Sequence, residues 1–289
     1  MNLIDGKKIA AELRNKLKVE VDDIKKKFNK VPGLTVILIG DFAPSQIYVR
    51  NKEKFAKEIG LKSEIIKYPK DIQEISVLNK IDELNNDETV SGILVQLPLP
   101  DHIDKQKIIE RINPDKDVDG FHPTNFGRMA LNLPSFVPAT PFGIIEMIKR
   151  FNIVTSGKKC LVIGRSNIVG RPISILMSQK PINATVCIAH SKTKNIKNLT
   201  LQADIIISAL GIPEFLKEDM IKKDAVIIDV GITRVIDETT PKGYVLKGDV
   251  DFKKVSKKSS FITPVPGGVG PMTIAMLLKN NLLACEGRD

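Results

Sequence analysis

The chain has no tryptophan and only three tyrosines in 289 residues. Platforms for stacking exposed bases are scarce, which argues against a reader of single-stranded nucleic acid. Cysteine is equally sparse. Cys160, Cys187 and Cys285 are odd in number, widely spaced and set among apolar residues, so a disulfide framework or metal site is not expected and all three read as structural thiols. Apolar runs such as ADIIISAL and AVIIDVG are strand-length and too short to span a bilayer. The opening MNLIDGKKIA lacks the basic-then-apolar pattern of a secretory signal, so a cytoplasmic protein without a membrane partner is expected.

Acidic residues are in deficit: 34 Asp and Glu against 44 Lys and Arg give a net charge of +10. The lysines are scattered, with short runs at 25–27 and 257–258, so most of this charge reads as a solvated face. The remainder is available to steer a polyanionic cofactor or substrate into a cleft, and no nucleic-acid partner is expected.

What the chain does have is a steady alternation of strand-like and helix-like patterns, the signature of α/β architecture. A first block opens with a helix from Gly6 to Phe28 carrying the stripe Ile9, Leu13, Leu17, Val21, Ile24 and Phe28. It continues through strand LTVILIG, a helix from Pro44 to Ile59, a strand near SEIIKY, a helix with Ile75, Leu78 and Ile81, strand GILVQL, and a helix around Ile108. Residues 124–138, rich in Asn, Pro and Gly, show no periodicity and read as the boundary. Thr140 before Pro141 reads as a helix cap. A second block then gives strand KCLVIG, a helix from Gly170, strand ATVCIAH, a helix near Leu199, strand ADIIISAL, a helix near Leu216 and strand AVIIDVG. The expectation is two α/β lobes with an interlobe cleft. Residues 1–123 form the first lobe, 139–266 a doubly wound, Rossmann-like dinucleotide domain, and 267–289 a terminal helix packing back on the first lobe.

Three features point to chemistry. The turn VIGRSNIVGRP follows a strand and opens a helix, with Gly164 and Gly170 framing Arg165 and Ser166. Such a turn lets backbone N–H groups approach a pyrophosphate at a helix N-terminus. The next strand ends in His190, Ser191 and Lys192, without the carboxylate that would bind an NAD ribose. A 2'-phosphate would be welcomed there by Arg165 and Ser191, so the turn reads as an NADP site.

The second feature is Lys52, which shares a helical stripe with Tyr48, Phe55 and Ile59 while Arg50, Lys54 and Lys57 lie opposite. Either Lys52 snorkels to the stripe's edge, or it is drawn into a cleft at the carboxyl edge of the sheet, where a weakened hold on its proton suits acid/base work. Gln96, closing strand GILVQL, could hold it. The third is Asp119 in KDVDGFH, which could anchor an amino-heterocycle or simply form a turn. Its neighbours Asp115 and Asp117 are expected to be solvated.

YVRNK with Lys52, VQLPLP, KDVDGFHP, PATPFG, VIGRSNIVGRP, HSKT and PVPGGVGPMT occur in order across nearly the whole chain. In this the sequence resembles the bifunctional methylenetetrahydrofolate dehydrogenase/cyclohydrolase family, often called FolD. The resemblance implies NADP-dependent oxidation of 5,10-methylenetetrahydrofolate, then hydrolysis of the methenyl cation to 10-formyltetrahydrofolate. It implies Lys52 as the catalytic lysine, Gln96 as the residue orienting it, Tyr48 packed against the folate and Asp119 as the pterin anchor. It further implies Pro264, Gly267 and Gly268 as substrate contacts, His190 and Ile232 as cofactor contacts beside Gly164, Arg165, Ser166, Gly170 and Ser191, and a homodimer. Ala139 and Phe142 depart from the family's usual PCTP followed by a polar or basic residue.

Two rival readings remain at this level. Tyr48-x-x-x-Lys52 imitates the pair of a short-chain dehydrogenase, although there the glycine turn precedes the pair and here it follows. A basic, nucleotide-responsive binding protein without turnover is the other.

Overall fold

The computed structural model describes residues 1–241 and 243–287. In chain order its strands and helices are Asn2–Leu3 (β1), Gly6–Phe28 (α1), Gly33–Ile39 (β2), Ala43–Glu58 (α2), Lys62–Tyr68 (β3), Glu74–Asn86 (α3), Gly92–Val95 (β4), Lys105–Arg111 (α4), Pro123–Ala130 (α5) and Ala139–Arg150 (α6). There follow Lys159–Ile163 (β5), Gly170–Ser178 (α7), Thr185–Ala189 (β6), Ile196–Gln202 (α8), Ile205–Ser208 (β7), Val226–Asp229 (β8), Thr233–Ile236 (β9), Tyr244–Lys247 (β10), Phe252–Val255 (α9), Phe261–Ile262 (β11) and Val269–Glu286 (α10).

The chain forms two compact units: Ala11–Ala139 with the residues from Ile274 onward, and Met1–Ala10 with Thr140–Thr273. The first contains a parallel sheet of order β3-β2-β4. β2 and β4 are buried along their whole length, as their unbroken apolar runs GLTVILI and GILV require in a parallel sheet covered on both faces. Ile37, Ile39, Ile93 and Val95 pack there against Val77, Ile81 and Leu84 of α3 and Ile108 of α4. Ile75 is exposed, so the inward face of α3 runs through Val77, Ile81 and Leu84.

The other unit contains six parallel strands in the order β1-β11-β8-β7-β5-β6. Its topological switch lies between β5 and β7, because the chain runs from β5 outward to β6 and then returns to the other side. Ligands of doubly wound sheets bind beyond the carboxyl ends of strands at such a point.

Several local expectations are corrected. Residues 1–10 leave the lobe expected for 1–123, because β1 pairs with β11 and Lys7 N donates to Gly267 O at 2.9 Å. The segment at 124–138 is not a plain connector: α5 starts behind His122, whose Nδ1 accepts from Thr124 N at 3.1 Å. Thr140 does not cap a helix, since α6 already includes Ala139 and the Thr140 hydroxyl meets that of Thr273 at 3.0 Å. No α-helix forms at Leu216. That residue bridges to Val250, and a single turn of 3-10 helix follows at Glu218–Met220. Cys187 is exposed, because it lies on the edge strand β6, whereas Cys160 is buried. Among the described residues no helix is long and apolar enough to cross a membrane.

Candidate active site

The carboxyl edge of the three-stranded sheet carries the first cluster. β2 runs into α2, which turns Ser45, Val49, Lys52 and Ala56 inward at helical spacing. Tyr48 and Phe55 flank this stripe and are half-buried. Phe55 is covered on one side by Arg14, whose guanidinium stands 4.1 Å above the ring. Lys52 is only 7% exposed, which excludes the snorkelling alternative. β4 places Gln96 opposite: its backbone N–H makes a further ladder bond to Ile37 O at 2.9 Å, and its side chain then meets Lys52.

Lys52 Nζ donates to Gln96 Oε1 at 2.9 Å, while Gln96 Nε2 donates to Leu97 O at 2.8 Å. The amide is thus held at both ends, and its acceptor is fixed toward the amine. Burial pushes the pKa of Lys52 below that of an ordinary lysine, and the negative charge of Asp119 partly opposes the shift. Asp119 in turn is pushed up to about 6, mainly by burial, with Lys52 pulling down and Asp117 pushing up. Burial also raises the Tyr48 phenol. An amine that yields its proton more readily than an ordinary lysine, a carboxyl raised to about 6 and an aromatic face therefore occur in one neighbourhood. This equipment suits proton transfer at a polar heterocycle.

Asp117 corrects the expectation of a solvated neighbour, since it is almost fully buried. Its segment runs beside β4, with Ile93 N donating to Lys116 O, and the Asp117 carboxylate turns inward. There it accepts from Phe121 N at 3.3 Å, His122 N at 2.8 Å and Asn125 Nδ2 at 2.8 Å, fixing the turn that follows Asp119. Asp115 is exposed. A small cavity beside Asp119 is lined by Ile93, Val95, Leu97, Asp117 and Phe121. Asn280 of α10, which sequence reasoning passed over, holds the same loop: its Nδ2 donates to Val118 O at 2.8 Å and Val137 O at 2.9 Å. The signal was an Asn-Asn pair inside the apolar run MLLKNNLLAC.

In the six-stranded unit the glycine turn follows β5. A Cβ on Gly164 would lie 2.5 Å from Ala209 O, and one on Gly170 would lie 2.2 Å from Gly164 O, so neither position accepts a side chain. Ser166 replaces the middle glycine with an acceptor. Its Oγ takes hydrogen bonds from Val169 N at 3.2 Å and Gly170 N at 3.4 Å at the start of α7. Arg165, Ser166 and Ser191 are exposed at this rim, and the backbone of His190 is tied to Thr193 Oγ1 at 2.9 Å. Ile232 is exposed in the segment between β8 and β9. Pro264, Gly267 and Gly268 lie between β11 and α10 in the same unit, packed so that a Cβ on Gly268 would meet Pro264 O at 2.5 Å. This close-packed turn, opening a helix beside exposed cationic and hydroxyl groups, fits a dinucleotide phosphate.

The fold and these two clusters define a two-unit α/β enzyme with a nucleotide turn and a separate lysine centre. The family described as tetrahydrofolate dehydrogenase/cyclohydrolase matches through its catalytic domain at residues 4–119 and its NAD(P)-binding domain at residues 138–289, and the chain belongs to that family. The bifunctional protein FolD of Flavobacterium johnsoniae is 59% identical over 291 residues, covering 100% of this chain and 99% of its own. That of Pelagibacter ubique is 60% identical, covering 98% and 97%. Among solved structures, the bifunctional FolD of Campylobacter jejuni has a TM-score of 0.94 at 46% identity, with 99% of both chains covered. The Trypanosoma brucei enzyme, solved with NADP cofactor and inhibitor, has a TM-score of 0.94 at 36% identity, covering 98% of this chain and 97% of its own.

Proposed function

We propose that this chain oxidises 5,10-methylenetetrahydrofolate with NADP and hydrolyses the resulting methenyl cation to 10-formyltetrahydrofolate. The observation that carries the reading is the hydrogen bond from the buried Lys52 to Gln96, beside Asp119.

Bound NADP supplies the hydride acceptor. Gly164, Ser166 and Gly170 would hold its pyrophosphate, Arg165 and Ser191 its 2'-phosphate, and His190 and Ile232 further parts of the dinucleotide. Asp119 accepts hydrogen bonds from the pterin, and Tyr48 packs on the folate. Removing hydride from the carbon between N5 and N10 leaves a delocalised cation, so this step depends on placement more than on a strong base. Hydrolysis needs more: water adds to that carbon, and protons must move before the ring opens. Lys52, its proton affinity lowered by burial, takes and returns the proton, and Gln96 keeps Nζ aimed.

We read the protein further as a cytoplasmic homodimer, on its membership of this family. Sedimentation at micromolar concentration tests the dimer. Activity is tested by mixing the chain with NADP and methylenetetrahydrofolate and following reduced nicotinamide and methenyl absorbance. No nicotinamide reduction would leave the binding-protein alternative standing.

A further inference from the structure

Two carboxylates in the six-stranded unit take no part in the roles above, although they are among its most completely bonded groups. Asp229 ends β8 and Asp249 follows β10; both are buried. Asp249 accepts from Ser208 Oγ at 3.2 Å, Leu210 N at 2.6 Å and Ile212 N at 2.9 Å. Asp229 accepts from Gly231 N at 3.1 Å, Asp249 N at 2.9 Å and Val250 N at 3.0 Å. Each is pressed against a glycine. A Cβ on Gly231 would lie 2.1 Å from Asp249 Oδ1, and one on Gly248 would lie 1.9 Å from Asp229 Oδ2.

These bonds fasten two loops. The loop after β7 is held at Leu210 and Ile212 by Asp249, the loop after β8 is held at Gly231 by Asp229, and Thr233 Oγ1 joins them through Gly211 O at 3.3 Å. The tips of the two loops present Ile212 and Ile232 to solvent. The loop after β7 also abuts the glycine turn, since Ala209 O is the atom a Cβ on Gly164 would strike. Both loops therefore line the carboxyl edge on the β7 and β8 side of the switch point, opposite β6. With a pyrophosphate at the glycine turn and the 2'-phosphate read at Ser191 after β6, the other half of the dinucleotide must extend across β7 and β8.

Resting on the NADP reading, we infer that Asp249 and Asp229 are positioning residues, a paired carboxylate latch that sets the Ile212 and Ile232 loops against the nicotinamide half of the cofactor. Neither carboxylate needs to touch the cofactor. Each backbone N–H it captures fixes one loop position, and a carboxylate has enough lone pairs to take several at once.

The test uses the full-length protein and two ligands, NADP and adenosine 2',5'-bisphosphate, which carries the adenosine end alone. Asp249→Asn keeps the size but leaves one acceptor oxygen, so either Leu210 N or Ile212 N must face an amide NH2. This variant is expected to bind NADP about tenfold more weakly, as for one lost charge-assisted hydrogen bond, and to bind the bisphosphate within about twofold of wild type. Its KM for NADP should rise while its methenyl hydrolysis rate stays unchanged. Should Asp249→Asn fail to fold, Ser208→Ala, which deletes one hydroxyl bond to the latch, should show the same asymmetry at roughly two- to fivefold. Equal weakening of both ligands, or no change in either, overturns the latch. A wild-type protein that binds neither ligand overturns the NADP reading itself and the latch with it.

Discussion

Replacing Lys52 by Met removes one amine from the lysine centre and little else. The stem stays among Val49 and Ala56 on the inward face of α2, so the helix keeps its packing. Gln96 Oε1 loses its donor, at a cost of about 1–3 kcal/mol for a buried acceptor left unpaired. Relief of the desolvation that lowers the Lys52 pKa works in the opposite direction. The melting temperature should therefore move by only about 5 °C. Catalysis should change far more. Loss of a positioned general acid/base costs ~100-fold or more, and the whole of that loss should fall on hydrolysis. Hydride transfer depends on placement, so dehydrogenation should fall much less and methenyl-folate should accumulate. The assay follows reduced nicotinamide and methenyl absorbance in the same cuvette, with thermal melting as the control for folding. A folded Lys52→Met protein that loses both activities equally would make the amine a substrate-positioning group. One that hydrolyses at the full rate would refute its role in proton transfer.

Asp119, raised to about 6, is charged above that pH and neutral below it. If its carboxylate anchors the pterin, the folate KM should climb by about tenfold per pH unit below 6, and the slope should vanish in Asp119→Asn, which cannot titrate. The same raised pKa means that folded-state stability from this group is greatest below about pH 4 and falls as pH rises to 6; melting curves of wild type and Asp119→Asn should converge at the acid end. Arg165→Ala should weaken NADP by ~1.5–3 kcal/mol and NAD much less; equal losses in a titration with both nucleotides would remove Arg165 from the 2'-phosphate. Asn280→Leu strands the carbonyls of Val118 and Val137, so the protein should lose about 2 kcal/mol or more in urea melts and its folate KM should rise, with NADP affinity unchanged.

The parts legible in the sequence were those written in local chemistry. Unbroken apolar runs became β2, β4, β7 and β8, and of the two alternatives that spacing left open for a lysine inside an apolar helical stripe, burial is the one found. Gln96 was legible because it ends a strand, the point where a parallel sheet delivers side chains to a site. What stayed hidden depends on partners distant in sequence. Asp117 looks like any loop carboxylate until Asn125 and two backbone N–H groups are seen to enclose it. Asp249 meets Ser208 from 41 positions away, and Asn280 reaches Val118 across 162. The β9–β10 hairpin was invisible for another reason: TRVI and YVLK alternate in burial or are only half-buried and carry little periodic apolar signal. Leu216 misled because its flanks read as helical, whereas its backbone N–H is engaged by Asp249 O.

The chain passes from one unit to the other after Ala10, after Ala139 and after Thr273. Neither unit is therefore a continuous stretch of polypeptide. A nick in the exposed segment 131–134, between α5 and α6, would leave an N-terminal piece that still owns β1, a strand of the six-stranded sheet, and a C-terminal piece that still owns Asn281, whose Nδ2 donates to Gly33 O at the start of β2. Each piece then carries a fragment that completes the other's fold. Protease-cut protein should accordingly travel as one particle on a native gel and separate only in denaturant, and a gene split at that connector would yield two halves that must be made together to fold.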